Sequence, residues 1–123
     1  MYDHIGLRVK DIKASARFYT AALAPLGHVP GPAGEGYAGF GPKDAPGFWL
    51  HAQEGKSGGN PMGSHVAFRA KDRAAVDAFY AAGIKAGGKD NGKPGPRPDY
   101  GPKYYGAFLV DFDGNNVEAV CHK

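Results

Sequence analysis

The chain has 123 residues, 22% of them charged, with 15 Lys and Arg against 12 Asp and Glu for a formal net charge of +3. That length holds one domain with a proper core, and its cations are scattered without a basic run, which leaves nucleic-acid binding no electrostatic footprint while slightly favouring a small anionic ligand. A single cysteine excludes an internal disulfide, and no apolar run approaches the length of a membrane-spanning helix, so a cytoplasmic protein that touches no membrane is expected.

In chain order, Ile5, Leu7 and Val9 alternate with His4, Gly6 and Arg8, the period of a half-buried strand. The segment opens without a charged and then apolar leader, which also fits a cytoplasmic protein. Asp11 stands at an N-cap position, and the apolar period then lengthens to about 3.6, with Ser15, Phe18, Tyr19, Ala22, Leu23 and Leu26 on one stripe ended by Gly27. Residues 28–30 suit a short edge strand and 31–36, rich in Gly and Pro, a loop. Tyr37–Gly41 reads as a strand of small residues. Residues 47–53 read as another, with Phe48, Leu50 and Ala52 on one face and Trp49, His51 and Gln53 on the other.

Residues 54–63, EGKSGGNPMG, have the composition of a connector. Beyond the connector the opening segment recurs. HVAFRAKDRAAVDAFYAAGIKAGG, residues 65–88, matches residues 4–27 without a gap. Identical are His4/His65, Arg8/Arg69, Lys10/Lys71, Asp11/Asp72, Ala14/Ala75, Phe18/Phe79, Tyr19/Tyr80, Ala21/Ala82 and Gly27/Gly88, where chance gives roughly one or two. The second copy alternates Val66, Phe68 and Ala70 against His65, Ala67 and Arg69, caps a helix with Asp72, and carries the stripe Val76, Phe79, Tyr80, Gly83 and Ile84 to Gly88. Residues 89–103, with GKPGPRPDYGPK, read as a stiff loop without an element. Tyr104–Val110 and Asn116–His122 read as strands joined by a turn in which Gly114 supplies a positive φ. Cys121 shares the apolar face of the last strand with Val117 and Ala119 and reads as a buried structural thiol. The expected organisation is one α+β domain of two modules, residues 1–54 and 64–123, joined by a linker at 55–63, each module running strand, helix, then about three strands.

A βαβββ unit occurring twice, opened by HIGLRV and HVAFRA and closed by DFDGNNVEAV, resembles the vicinal oxygen chelate superfamily, which includes glyoxalase I, extradiol dioxygenases and the bleomycin- and fosfomycin-resistance proteins. The most specific pieces are the histidine opening each module and the motif D-x-D-G-N-x-[IV]-E, here Asp111, Asp113, Gly114, Asn115, Val117 and Glu118. The resemblance implies a glyoxalase/dioxygenase-like fold whose two modules form a curved mixed sheet with a concave cup. It further implies one divalent metal ion held by His4, His65 and Glu118, a small-molecule substrate, and a homodimer, some members completing the cup across chains.

The residue pattern agrees with that ligand set. All three side chains fall on the face opposite the helix-facing apolar residues, and two imidazoles with one carboxylate suit Fe, Mn, Ni or Zn while leaving positions open for substrate oxygens. The metalloglyoxalases of the superfamily carry a second Glu, but aligning Phe48 with Val117 and Leu50 with Ala119 puts Trp49 opposite Glu118. His51 lies on the same face, roughly 6.6 Å further along the strand, as a candidate base or cup lining. Trp49 is a stacking platform or a space filler. Arg97 and Tyr104 crowd the Gly/Pro-rich loop at the cup's edge, and Tyr104, Tyr105 and Trp49 would suit an aromatic ligand. Arg8 and Arg69, recurring on the histidines' face, suit anion contacts. The function expected first is a metal-dependent enzyme, a glyoxalase-like lyase or an extradiol-type dioxygenase acting on vicinal oxygens. The alternative is a metal-free small-molecule-binding protein of the bleomycin-resistance type.

Overall fold

The computed structural model describes residues 1–53 and 63–123, so the expected linker, apart from Gly63, lies outside the described residues. In the first module Ile5–Val9 forms β1, Ile12–Leu23 α1 with a short 3₁₀ turn at Ala24–Leu26, Val29–Ala33 β2, Tyr37–Gly41 β3 and Phe48–Ala52 β4. The second comprises His65–Arg69 (β5), Arg73–Lys85 (α2), Lys89–Pro96 (β6), Tyr104–Val110 (β7) and Asn116–His122 (β8). Each module carries its own four-stranded mixed sheet, ordered β1-β4-β3-β2 and β5-β8-β7-β6, in which the first strand runs parallel to the last and the others are antiparallel. The α+β class and the twofold βαβββ order are therefore those expected. No helix among the described residues is long and apolar enough to cross a membrane.

Local chemistry accounts for most boundaries. Asp11 accepts from the Ala14 N–H at 3.1 Å and Asp72 from the Ala75 N–H at 2.8 Å, each relieving an orphan donor of the first helical turn. The chain leaves α1 through Gly27 at φ 86 and leaves α2 through Gly87 at φ 105, one residue before the glycine expected there. Two stretches depart from the sequence reading. β2 reaches into the Gly/Pro-rich segment, and β6 occupies the first half of what reads as a loop at 89–103. Both are edge strands with irregular pairing, where a proline's missing N–H removes nothing the outer side of the sheet needs.

One core serves both modules. Leu7, Val9, Phe48 and Leu50 of the first sheet and Leu109, Val117, Ala119 and Cys121 of the second are all buried and join Phe18, Tyr19, Val76 and Phe79 of the helices in a single cluster. Each such large apolar side chain contributes about 1.5–3 kcal/mol on burial. Ile84 falls outside it, 39% exposed. The line of contact runs instead through Gly83, so close to β7 that a Cβ there would stand 2.2 Å from Leu109 Cδ1. Since the apolar faces of both sheets look into this common core, the opposite faces, bearing the candidate functional residues, look outward from it.

The β7–β8 turn ties the modules together. Asp111 Oδ1 accepts from the backbone N–H of Asp113 and Asn115, both at 2.9 Å, while Oδ2 takes the Asn115 amide at 2.9 Å and the Tyr19 hydroxyl at 2.5 Å. Asp113 accepts from the Lys10 N–H at 2.9 Å, and Asn115 Oδ1 from the Ser64 N–H at 2.8 Å. Gly114, at φ 83, lets the turn close. Burial first, and then the Asp111 carboxylate, hold the Tyr19 hydroxyl well above its ordinary value of 10.0. The folded protein keeps that proton where the unfolded chain would lose it, so the stabilisation is whole below pH 10 and lost as pH rises past it. Denaturant unfolding between about pH 9 and pH 12 is expected to show an alkaline loss of stability that Tyr19→Phe reduces. An unchanged alkaline limb in that variant would assign the loss to other groups.

Candidate functional site

On the outer face of the second sheet the register lines up Ala67, Glu118 and Phe108 across β5, β8 and β7. Alternation along β7 puts Tyr104, Gly106 and Phe108 on that face and Tyr105, Ala107 and Leu109 on the helix side. Glu118 is only 2% exposed, and a carboxylate so placed needs partners. It has two. The Tyr104 hydroxyl donates a short hydrogen bond to Oε1, and His65 Nε2 lies 3.1 Å from Oε2. Gly106 makes the room, for a Cβ there would stand 3.2 Å from Tyr104 Cε1 and 3.3 Å from Glu118 Oε1. Burial, and after it the hydrogen bond to Glu118, push the Tyr104 hydroxyl up to about 12, so it remains a donor at neutral pH. Tyr100 and His122 meet its ring edge-on, each with centroids 5.3 Å away.

The histidines are held in a way that suits cation binding. His65 Nδ1 is 3.1 Å from the Asn116 carbonyl oxygen, which can only accept, so Nδ1 carries a proton, while Nε2 faces Glu118 Oε2. A lone pair and a carboxylate oxygen at that separation call for a positive charge between them, a proton or a metal ion. His4 repeats the arrangement. Its Nδ1 meets Asp3 Oδ1 at 2.6 Å, leaving Nε2 available on a side chain 60% exposed.

Arg97 completes the second-sheet cluster. Its guanidinium lies 5.4 Å over the Phe108 ring, and it donates to the carbonyls of Lys93 at 2.6 Å and Pro96 at 3.2 Å. The structure thus brings His65, Glu118, Tyr104 and Arg97 together. Tyr105, expected in the cup, faces α2 instead: its hydroxyl donates to Asp77 Oδ1 at 2.7 Å and the Arg73 guanidinium lies 4.8 Å from its ring. His4, Trp49 and His51 belong to the first sheet, where Gly6, Trp49 and Gly39 form one cross-strand row and Arg8, His51 and Tyr37 the next. Trp49 stands in the register that Glu118 occupies in the second sheet. Among the described residues no three His, Cys, Asp or Glu side chains are grouped to hold a metal ion, so His4 does not meet His65 and Glu118 within one chain.

The model of the Glyoxalase/Bleomycin resistance protein/Dioxygenase superfamily matches residues 2–119. The chain belongs to that superfamily. It is similar to a glyoxalase/bleomycin resistance protein of Albidiferax ferrireducens T118, 33% identical with a TM-score of 0.79 over 98% of this chain and 97% of that one. A putative glyoxalase of Bacillus halodurans, 20% identical, superposes with a TM-score of 0.72 over 98% and 94% of the two chains. The fosfomycin resistance protein FosX of Mesorhizobium loti, 18% identical, gives 0.67 over 98% and 90%. The last two show likeness of fold. No curated protein matches the chain.

For this superfamily member, sequence reasoning missed several parts of the site. Asp3, beside His4, was visible as a potential imidazole partner, whereas the Asn116 contact is made by a backbone oxygen and left no signal. Phe108 and Gly106 gain their roles only through the β7–β8 register.

Proposed function

We propose that this protein is a divalent-metal-dependent enzyme of the superfamily in which two copies of the chain build each site, His65 and Glu118 coming from one and His4 from the other. The observation that carries the proposal is the convergence of His65 Nε2 and the buried Glu118 Oε2 at 3.1 Å, with the other nitrogen of His65 already committed to Asn116. A carboxylate and an imidazole so disposed fit Fe, Mn, Ni or Zn, and a third nitrogen leaves room for substrate. The outward-facing surfaces of the two sheets argue for a second copy. A twofold pair that sets the first module of each chain against the second module of its partner makes two identical cups. The ion, when bound, supplies Lewis acidity to two neighbouring substrate oxygens, serving a glyoxalase-like lyase or, with iron, a ring-cleaving dioxygenase. Tyr104 holds Glu118 so that Oε2 is the oxygen offered. His51, on the facing sheet, is the base, and Arg97 at the cup's edge meets an anionic group. The metal-free binding protein is the second reading, favoured by Trp49 standing in the register of a ligand.

Elemental analysis of chelator-free protein is expected to give about one equivalent of metal per chain, and neither His4→Ala nor Glu118→Ala should retain it. Refolding the two variants together decides where His4 acts. Half of the resulting dimers are mixed and carry one intact site, so about a quarter of the wild-type metal returns if His4 crosses between chains, and none if it does not. Protein that takes up no ion at all leaves the binding reading in place.

A further inference from the structure

We infer that the outer face of the first sheet is a stacking subsite for a planar aromatic carboxylate, with the Trp49 indole as its platform and Arg8 as the partner of the carboxylate. The inference rests on the proposed function only in setting this face opposite the metal ligands.

Trp49 is flanked on both neighbouring strands by glycine, Gly6 on β1 and Gly39 on β3. Its six-membered ring lies on the bare backbone of Gly39, where a Cβ would stand 2.6 Å from Cζ3, 2.8 Å from Cη2 and 2.9 Å from Cε3. A side chain at residue 39 would displace the indole from this position. The indole is half-buried against that glycine. In the next row the His51 ring covers Gly6, whose Cβ would stand 3.2 Å from Cδ2, and Tyr37 stands with its ring centroid 6.5 Å from that of Trp49 at an interplanar angle of 43°. Tyr37 is 43% exposed. These three rings share one face of the sheet and make the proposed slot, and such rings attract another aromatic beyond the gain from burial alone.

The charge of the ligand follows from Arg8. Its place across from His51 puts it in the row beside Trp49, at a depression it lines with Gly36, His51 and Ala52. It is exposed, and among the described residues it has no carboxylate or hydrogen-bond partner. A guanidinium fork matches a carboxylate in two parallel hydrogen bonds, and Arg8 stands one register row from Trp49 on the same face of the sheet. An aliphatic acid satisfies only the arginine, and a neutral arene only the indole.

Trp49 is the sole tryptophan, so its fluorescence reports the slot directly. Metal-stripped protein would be titrated with benzoate, cyclohexanecarboxylate and benzyl alcohol, by fluorescence and by calorimetry. Benzoate is expected to bind about tenfold more tightly than either control. Trp49→Leu should bring benzoate down to the level of cyclohexanecarboxylate, and Arg8→Gln down to that of benzyl alcohol, with both variants keeping the wild-type circular dichroism. Equal binding of benzoate and cyclohexanecarboxylate, or benzoate affinity unchanged in Trp49→Leu, would overturn the inference. Because the protein is stripped, these outcomes are independent of the metal: bound metal without benzoate preference removes the subsite alone, and benzoate preference without metal uptake removes the metal alone.

Discussion

Glu118→Gln is expected to lower divalent-metal affinity by more than the roughly 10–100-fold typical of losing an outer-shell partner, while leaving the fold and its stability within about 1 kcal/mol of wild type. The substitution keeps the shape of the side chain and an oxygen for the Tyr104 hydroxyl, so what it removes is the charge facing His65 Nε2. Glu118→Ala is a poorer instrument. It also leaves Tyr104 without its acceptor and opens a hole in a residue only 2% exposed, although loss of the carboxylate's desolvation cost offsets part of that. Tyr104→Phe provides the intermediate case. It frees Oε1 without touching the charge, and its effect should fall inside the outer-shell range of about 10–100-fold. Calorimetric titration with Zn or Ni, read beside urea unfolding of the same preparations, separates ligand loss from unfolding. Metal affinity equal to wild type in Glu118→Gln would strike this residue from the ligand set.

Asp111→Ala is expected to be the most destabilising single change outside the apolar core, about 3–5 kcal/mol at neutral pH. Four donors lose their acceptor at once: the N–H groups of Asp113 and Asn115, the Asn115 amide and the Tyr19 hydroxyl. Each buried orphan costs about 1–3 kcal/mol, and water entering the turn recovers part of the total. Against a net stability of about 5–15 kcal/mol for a domain of ordinary size, the variant sits near the threshold of folding. Asp111→Asn is the measurable companion, keeping one acceptor for the turn N–H groups and losing the other, with about half the effect. Asp113→Ala, whose Lys10 contact is exposed, should cost less than either. A loss below about 1 kcal/mol for Asp111→Ala, by urea unfolding, would show that the turn is held from elsewhere.

The elements that were legible are those made by local physics and doubled by the repeat. Alternation at His4–Arg8 and His65–Arg69, the Asp11 and Asp72 caps and the stripes through Phe18 and Phe79 recur at equal spacing, and each recurrence confirms the other. β6 was illegible because its prolines and glycines are tolerated only at an edge, and edge position is a property of the assembled sheet. Tyr105 illustrates a different limit. YYGAFLV has apolar or small residues at every position of β7, so its sequence has no phase, and pairing with β8 alone decides that Tyr104 meets Glu118 while Tyr105 meets Asp77. Ile84, placed on the α2 stripe by its spacing, is outside the core because close packing at Gly83 sets the line of contact.

By itself the sequence established a repeated strand–helix unit followed by further strands, a histidine opening each copy, Glu118 on the histidines' face and Trp49 at the matching position of the first copy. Those come from period, spacing and residue chemistry, which a repeat makes readable without coordinates, whereas the ligand set and the expectation of a second carboxylate at Trp49 came from the family resemblance. Tertiary structure alone decided that Glu118 is buried against Tyr104, that Asn116 and Asp3 turn the imidazoles, that Trp49 packs on Gly39, and that His4 stands apart from His65 and Glu118 in the chain. Those facts depend on register between strands distant in sequence and on which side of each sheet the common core lies. Both are settled when the chain buries its apolar faces together, a choice no local pattern encodes.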